Sequence, residues 1–427
     1  MILRSRILLP ISAPPVEDGA VLILGDRIRF AGAWGDLRPH ASGPVTDLGE
    51  AVLLPGLINA HCHLDYTHLA GQLAPPASFP DWIKAILAAK AAWGFSEYAG
   101  SWLDGARQLL ASGTTTVANI ESVPELLDVC PLQTPLRVCS FLELTGVRSR
   151  RAPAEILAEA ERLLVGITPG RGRVGLSPHS PYSTTPDLLR AAAATAQKHG
   201  WRLSSHVAES QAEFDMFMYR RGPMFEWLEH QRPADDCGRG SPVQHLDRCG
   251  LLGPTQLAAH VNYLWHDDAR LLARRDTSVV HCPQSHAYFR HHCFPRPELS
   301  EAGVNLCLGT DSLASTRLRP GVPPTLSLFD EMRALATADS MMTPHQLLEM
   351  ATINGARALG QQGRLGQLTP GAMADVIAVP FTGKLAEATA AVVHHQGPVP
   401  AVMINGDWER LPPQTGPGTA RRAVPAR

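Results

Sequence analysis

Pro55-Gly56-Leu57-Ile58-Asn59-Ala60-His61-Cys62-His63-Leu64-Asp65 is the stretch that orders the reading of everything around it. A Pro-Gly break is followed by a short apolar run ending in two histidines at i and i+2. Side chains at i and i+2 of a strand share one face, so both imidazoles can reach one ion. Alone, such a pair is a weak sign, because most are ordinary surface or core histidines. Its place at the end of an apolar run lifts it.

Further runs of the same kind lie on either side. Leu53 to Asn59 reads as the first. Then come Thr115-Thr-Val-Ala-Asn119, Arg137-Val-Cys-Ser-Phe-Leu-Glu143 and Arg173-Val-Gly-Leu-Ser-Pro-His179. Arg202-Leu-Ser-Ser-His206, Gln256-Leu-Ala-Ala-His260, Ser278-Val-Val-His281 and Val304-Asn-Leu-Cys-Leu-Gly-Thr-Asp311 complete eight. Ala/Leu/Arg-rich helical segments, such as 187–199 and 345–360, separate or follow them. Strands alternating with helices imply a parallel sheet, and eight such units imply a closed α/β barrel, a (β/α)8 TIM barrel spanning 55–363. The strand ends are rich in His, Asp and Glu, where barrel chemistry sits. Outside the barrel, Ala20 to Leu24 and Arg27 to Phe30 flank Gly25-Asp26 as a hairpin. Ala374 to Val379 and Ala401 to Ile404, with Asn405-Gly406, have the same texture. Residues 1–54 and 364–411 are therefore expected to build one small β-sandwich from both termini, and 412–427 a disordered Pro/Gly/Arg-rich tail.

Two more strand ends carry chemistry: His206-Val-Ala-Glu209 and Gly309-Thr-Asp311. A third imidazole and a carboxylate give an N,N,N,O set suited to one divalent ion, Zn2+ first and Fe2+ second, with a position open for water. Each piece has a plainer reading, His206 as a core histidine and Asp311 as a cap. The conjunction at strand ends favours metal.

Together these motifs resemble the amidohydrolase superfamily, in the branch of adenosine-type, S-adenosylhomocysteine, aminodeoxyfutalosine and guanine deaminases and triazine chlorohydrolases. Gly371-Ala-Met-Ala-Asp375-Val resembles the family's penultimate sandwich strand, so the likeness runs through nearly the whole chain. The resemblance implies His61, His63, His206 and Asp311 as metal ligands. It implies Glu209 as a proton shuttle to a ring nitrogen, His260 as the group that orients or deprotonates the water, and His179 as a substrate contact. Asp311 would also pass a proton to departing ammonia. It further implies a homo-oligomer, commonly a dimer. Binuclear relatives bridge two metals with a carbamylated lysine at the end of the fourth strand. The only lysines here are Lys84, Lys90, Lys198 and Lys384, none within Arg173–Tyr182, so a single metal is expected. The cytidine-type HxE…PCxxC signature is absent.

Net charge is −2, which offers no field for nucleic acid, and no stretch approaches the roughly 20 apolar residues of a membrane span. The expected partner is a small heterocycle. Eight cysteines without a CxxC pair fit a reduced, cytoplasmic setting, and Met1 to Pro10 reads as a strand. Substrate contacts are expected from His179, Trp82, Glu143, His281 and Ser285, with Tyr66 and Glu121 nearby. Where relatives carry His-x-Pro-x-Ser-Asn, this chain has His281-Cys-Pro-Gln-Ser285-His286. Arg290, His291 and His292 then either bind an anionic substrate group or form a solvated loop. The segment 222–242 reads as an irregular polar loop. The leading function is hydrolytic deamination of an amino-purine or related N-heterocycle. Hydrolysis of another C–N or a C–halogen bond is second. A silent scaffold barrel is disfavoured, because every metal and proton-handling position is filled.

Overall fold

In the computed structural model, which describes residues 1–147, 149–318 and 321–411, eight parallel strands follow chain order around one sheet. They are Leu57–Cys62, Thr114–Glu121, Arg137–Leu144, Arg173–Pro178, Arg202–Val207, Gln256–His260, Ser278–His281 and Leu306–Leu308. Most of their residues are buried on both faces, as a helix-covered parallel sheet requires. Ile58, Ala118, Phe141, Leu257, Val280 and Cys307 fill the interior, so the barrel is a packed core rather than a pore.

The ring closes between its last and first strands. Cys62 and Asp311 form a parallel bridge, and Asp311 N–H donates to His61 O at 3.1 Å. Closure needs close approach, because a Cβ on Gly309 would lie 2.8 Å from His61 O. Only glycine fits there.

Each outer helix starts and stops on local chemistry. The helix Pro186–His199 has Pro at its first turn, where no donor is lost. The Thr185 hydroxyl accepts Leu188 N–H, and Gly200 ends it at φ +64°. Leu188, Leu189, Ala192 and Ala196, spaced on one face, are buried in the core beneath.

Two expectations about elements are corrected. Leu53 to Asn59 is not one strand: Ala51–Pro55 belongs to the terminal sheet and Leu57–Cys62 to the barrel. Pro55 has no N–H to continue a ladder, and Gly56 passes so near Thr115 that a Cβ would meet it at 2.2 Å. The chain steps from one sheet to the other there. The helix expected over 345–360 is broken into Pro344–Met350 and Ile353–Ala358. Ala351 O leaves the helix to accept Ile58 N–H at 2.8 Å, and Thr352 turns out of helical geometry at φ −138°.

Both chain ends build the second sheet. From one edge it runs Asp407–Arg410, Ala401–Ile404, Val376–Pro380, Ala51–Pro55, Ile2–Leu8, Val16–Leu24 and Arg27–Ala33, with Val45–Asp47 also on Ile2–Leu8. A bridge between Arg27 and Met373 brings the far edge back, so the sheet curls over its own core of Leu3, Leu8, Val21, Leu53, Val376 and Met403. Asn405 and Gly406 both take positive φ, the two-residue turn that Asn-Gly favours. A buried ion pair ties the two sheets, Arg137 Nη2 reaching both Asp375 oxygens at 3.1–3.2 Å and Asn405 Oδ1 at 2.6 Å. All eight cysteines are unpaired, and no described helix is long and apolar enough to cross a membrane. The tail expected over 412–427 lies outside the described residues.

Candidate metal centre

The strand ends deliver their polar side chains to one point. His61 ends the first strand, with His63 just past it. His206 comes from the fifth strand, His260 ends the sixth, and Asp311 follows the eighth. All five are buried. His63 Nε2 and His206 Nε2 are 3.2 Å apart, and Asp311 Oδ1 lies 3.7 Å from His63 Nε2 and 3.9 Å from His61 Nε2. Ligand atoms of His61, His206 and His260 fall within 4.8 Å of one another.

This geometry fits a cation. Both ring nitrogens of His61, His63 Nδ1 and His260 Nε2 are buried without a hydrogen-bond partner, a cost that folding rarely accepts without a ligand. A tetrahedral ion with bonds of ~2.0–2.1 Å separates its ligand atoms by roughly 3.3 Å, close to the imidazole pair seen here. Burial first, and the neighbouring imidazoles next, hold His61 and His63 well below the usual histidine range. They are neutral at pH 7, as ligation requires. His206 Nδ1 donates to His179 O at 2.9 Å, which fixes Nε2 as the inward lone pair. Ser315 Oγ donates to Asp311 Oδ2 at 3.0 Å, and the Ser285 hydroxyl also bonds the Asp311 carboxyl. Asp311, His260 and Ala208 all take positive φ, strain of the kind stored at functional sites. The donor set of this His/Asp cluster fits a divalent metal ion.

Glu209 stands beside it, with Oε1 at 3.7 Å from His260 Nε2. Burial, and then the charges of Asp311 and Glu213, push its carboxyl well above the usual range. A carboxyl that holds its proton more tightly than usual is suited to giving it up inside the site. His63, His206 and Asp311 of the cluster line a cavity of about 300 Å³ together with Glu209, while His61 and His260 lie behind its lining. One wall is a face of the helix Phe79–Ala89, in which Phe79, Ile83 and Ile86 repeat at helical spacing with Trp82 beside them. Lys90, at that helix's C-terminus, lies over the Tyr66 ring and bonds its hydroxyl, while Tyr66 stacks on His63. A larger surface groove of about 540 Å³, by Arg151 and Asp187, holds none of the cluster.

The expected substrate contacts divide into two groups. His179, Trp82 and Glu143 line the cavity, with His179 Nε2 3.8 Å from Glu143 Oε1. His281 and Ser285 do not. His281 stacks flat on Phe294 at 3.7 Å and gives its carbonyl to Gly309, while Ser285 sits behind Asp311. Glu121 is also away from the cavity, accepting from Trp102 Nε1 and Ser140. The segment after the seventh strand is helical over Pro283–Phe289. His291 bonds the Tyr263 hydroxyl, and Arg290, His291 and His292 are absent from the cavity wall. The segment read as an irregular loop contains the helix Pro223–Leu228, which lends Trp227 and Leu228 to the wall. Arg232 then anchors it to Pro181 O and Tyr182 O. Sequence reading passed over Ile86, Lys90 and Trp227. The i, i+4, i+7, i+11 series Phe79, Ile83, Ile86, Lys90 was a usable signal.

An eight-stranded barrel with four imidazoles and a carboxylate gathered at its strand ends is the arrangement of a metal-dependent hydrolase, and the family match agrees. The chain belongs to the amidohydrolase family, whose model matches residues 52–408. It is similar to the 5-methylthioadenosine/S-adenosylhomocysteine deaminase of Moorella thermoacetica, at 30% identity over 89% of this chain and 85% of the relative. It is also similar to the 5'-deoxyadenosine deaminase of Methanothermobacter thermautotrophicus, at 30% identity over 86% and 82%. Among solved folds, a zinc-bound adenosine deaminase from Xanthomonas campestris superposes with a TM-score of 0.82, at 24% identity, covering 96% of this chain and 92% of that one.

Proposed function

We propose that this chain is a single-metal deaminase that replaces the exocyclic amino group of an amino-purine, borne on a 5′-modified nucleoside, by oxygen. The observation that carries the reading is Glu209, a buried carboxyl poised to donate, lining the same cavity as His63, His206 and Asp311. His61, His63, His206 and Asp311 hold the ion, and zinc suits this borderline nitrogen-rich donor set. When bound, it supplies Lewis acidity that brings the pKa of a coordinated water toward ~7.

The protein's own groups do the rest. Glu209 gives its proton to the ring nitrogen next to the amino-bearing carbon, offsetting the charge that builds as the C–O bond forms. His260, 3.7 Å from Glu209, orients the attacking water. Of the water's two protons, one restores Glu209 and the other passes through Asp311 to the amine, so the C–N bond breaks and ammonia leaves. His179 and Glu143 offer hydrogen bonds to the base and sugar. Phe79, Trp82, Ile83, Ile86 and Leu228 form an apolar wall that suits the small thioether or methyl groups in the relatives' substrates. A homodimer and a reduced, cytoplasmic setting complete the reading, the latter supported by cysteines that are all unpaired.

The test is ammonia release across purine, pyrimidine and pterin amines, with and without a 5′-modified ribose. Turnover confined to amino-purines is expected. Turnover only of a halogenated triazine or a cyclic amide would overturn the reading.

A further inference from the structure

Glu213 takes no part in the chemistry above, yet it is a wholly buried carboxyl close to it. It sits at the start of the helix Gln211–Tyr219, where the Ser210 hydroxyl accepts Glu213 N–H at 3.1 Å. A glutamate at this position of a capping box ordinarily reaches back to the N–H of the capping residue. The Glu213 side chain goes further. Oε1 accepts Ala208 N–H at 3.1 Å and Oε2 accepts Glu209 N–H at 2.8 Å. Those two residues are the turn that leads from the His206 strand to the Glu209 side chain, and Ala208 is held there at φ +47°. That region is disfavoured for a residue with a Cβ. Asn262 closes the other side, donating Nδ2 to Glu209 O at 2.9 Å and its N–H to Ala208 O at 3.0 Å. Both backbone ends of Glu209 are therefore clamped, and the clamp sets where its carboxyl points.

We propose that Glu213 is a positioning residue for Glu209, its two oxygens fastening the left-handed turn that aims the Glu209 carboxyl at the ligand cluster. The inference rests on the proton-transfer role given to Glu209. A carboxyl suits the task because it turns an oxygen toward each of two N–H donors. Glutamine would turn an NH2 toward one of those N–H groups. A residue that served only to start the helix would have no reason to act through Glu209. The two roles therefore separate in a double-mutant cycle.

The experiment measures kcat and KM for 5′-methylthioadenosine, metal per chain, and amide exchange of the 207–210 segment. The chains are the unaltered protein, Glu213→Gln, Glu209→Gln and the double variant. We expect Glu213→Gln to lose roughly 10- to 100-fold in kcat, the scale of a small misplacement, with KM within about threefold. Its metal content should be unchanged and the Ala208 and Glu209 amides should exchange faster. In the Glu209→Gln background the second change should cost little more. If Glu213→Gln does not fold, Glu213→Asp, which keeps the carboxyl on a shorter arm, takes its place in the cycle. Unchanged kcat, unchanged exchange, or the same fold-loss in both backgrounds would overturn the inference. An unaltered chain inactive on this nucleoside would sink the deaminase reading itself, a different failure from slow exchange in a folded Glu213→Gln chain.

Discussion

His61 and His63 show how much a single residue's surroundings decide. Each would be an ordinary histidine in water, but at the closed end of the barrel both are buried beside other imidazoles. Their neutral forms are favoured, and both ring nitrogens of His61 and Nδ1 of His63 have no internal partner. Glu209 responds in the opposite direction to the same burial, because desolvation penalises the charged form of either group. One environment thus favours the neutral form of the imidazoles and of the carboxyl alike. Changing Glu209 to Gln keeps shape and size while removing the proton to give. It should leave bound metal unchanged in elemental analysis and lower kcat by roughly 10²- to 10⁴-fold. A fully active variant would contradict the assignment. His61 and His63 were legible in the sequence because i, i+2 spacing on a strand puts two side chains on one face, whereas Glu209 was singled out through the family resemblance. Ser285 and His281 were not, since nothing local says whether a residue past a strand faces the cavity or the back of a ligand.

At the scale of elements, the barrel strands were readable from their apolar runs and polar ends, and the hairpins from Gly-Asp and Asn-Gly. What escaped was set by partners distant in sequence. Whether Pro55 ends one strand or interrupts it depends on two sheets meeting at Gly56, and the break after Met350 depends on Ile58 taking Ala351 O. The helix Phe79–Ala89 was seen only as a source of aromatics, although its face supplies most of one cavity wall. Closure of the barrel hangs on a small residue in the last strand's exit. Gly309→Ala places a methyl against His61, so it should cost about 1–3 kcal/mol in urea unfolding, the usual range for overpacking. With His61 in the proposed ligand set, the same variant should also hold metal less tightly. Unfolding and metal retention both matching the unaltered chain would contradict the closure argument.

Across the whole molecule, a shared apolar core and one buried ion pair join the two sheets. Arg137 and Asp375 are both buried, and Asp375 also accepts Asn405 N–H at 2.9 Å. Asp375→Ala leaves the guanidinium buried without its counter-charge, and a loss of about 3–5 kcal/mol is expected by chemical denaturation. Acid should weaken the fold at a second point. His245 packs on Phe217 and Cys249, and burial, with Arg248, Arg232 and Arg190 adding to it, lowers its pKa to about 3. Asp236, 3.7 Å away, does not reverse this because Arg232 already engages it. Unfolded, the group titrates near ~6.5. Between the two values the unfolded chain takes up a proton that the folded one refuses. The contribution is intact above pH ~6.5 and is lost as pH falls toward 3. Melting temperature should therefore decline below pH ~6.5, less steeply in His245→Gln. Identical slopes would show that this histidine is not responsible.

The central claim is that one ion, held by His61, His63, His206 and Asp311, drives deamination. It is tested most directly by stripping the protein with a chelator and titrating zinc back while following ammonia release from 5′-methylthioadenosine. Activity should be lost on stripping, rise linearly with added zinc and level off near one equivalent per chain. Full activity in the metal-free protein, or a plateau only at two equivalents, would contradict it.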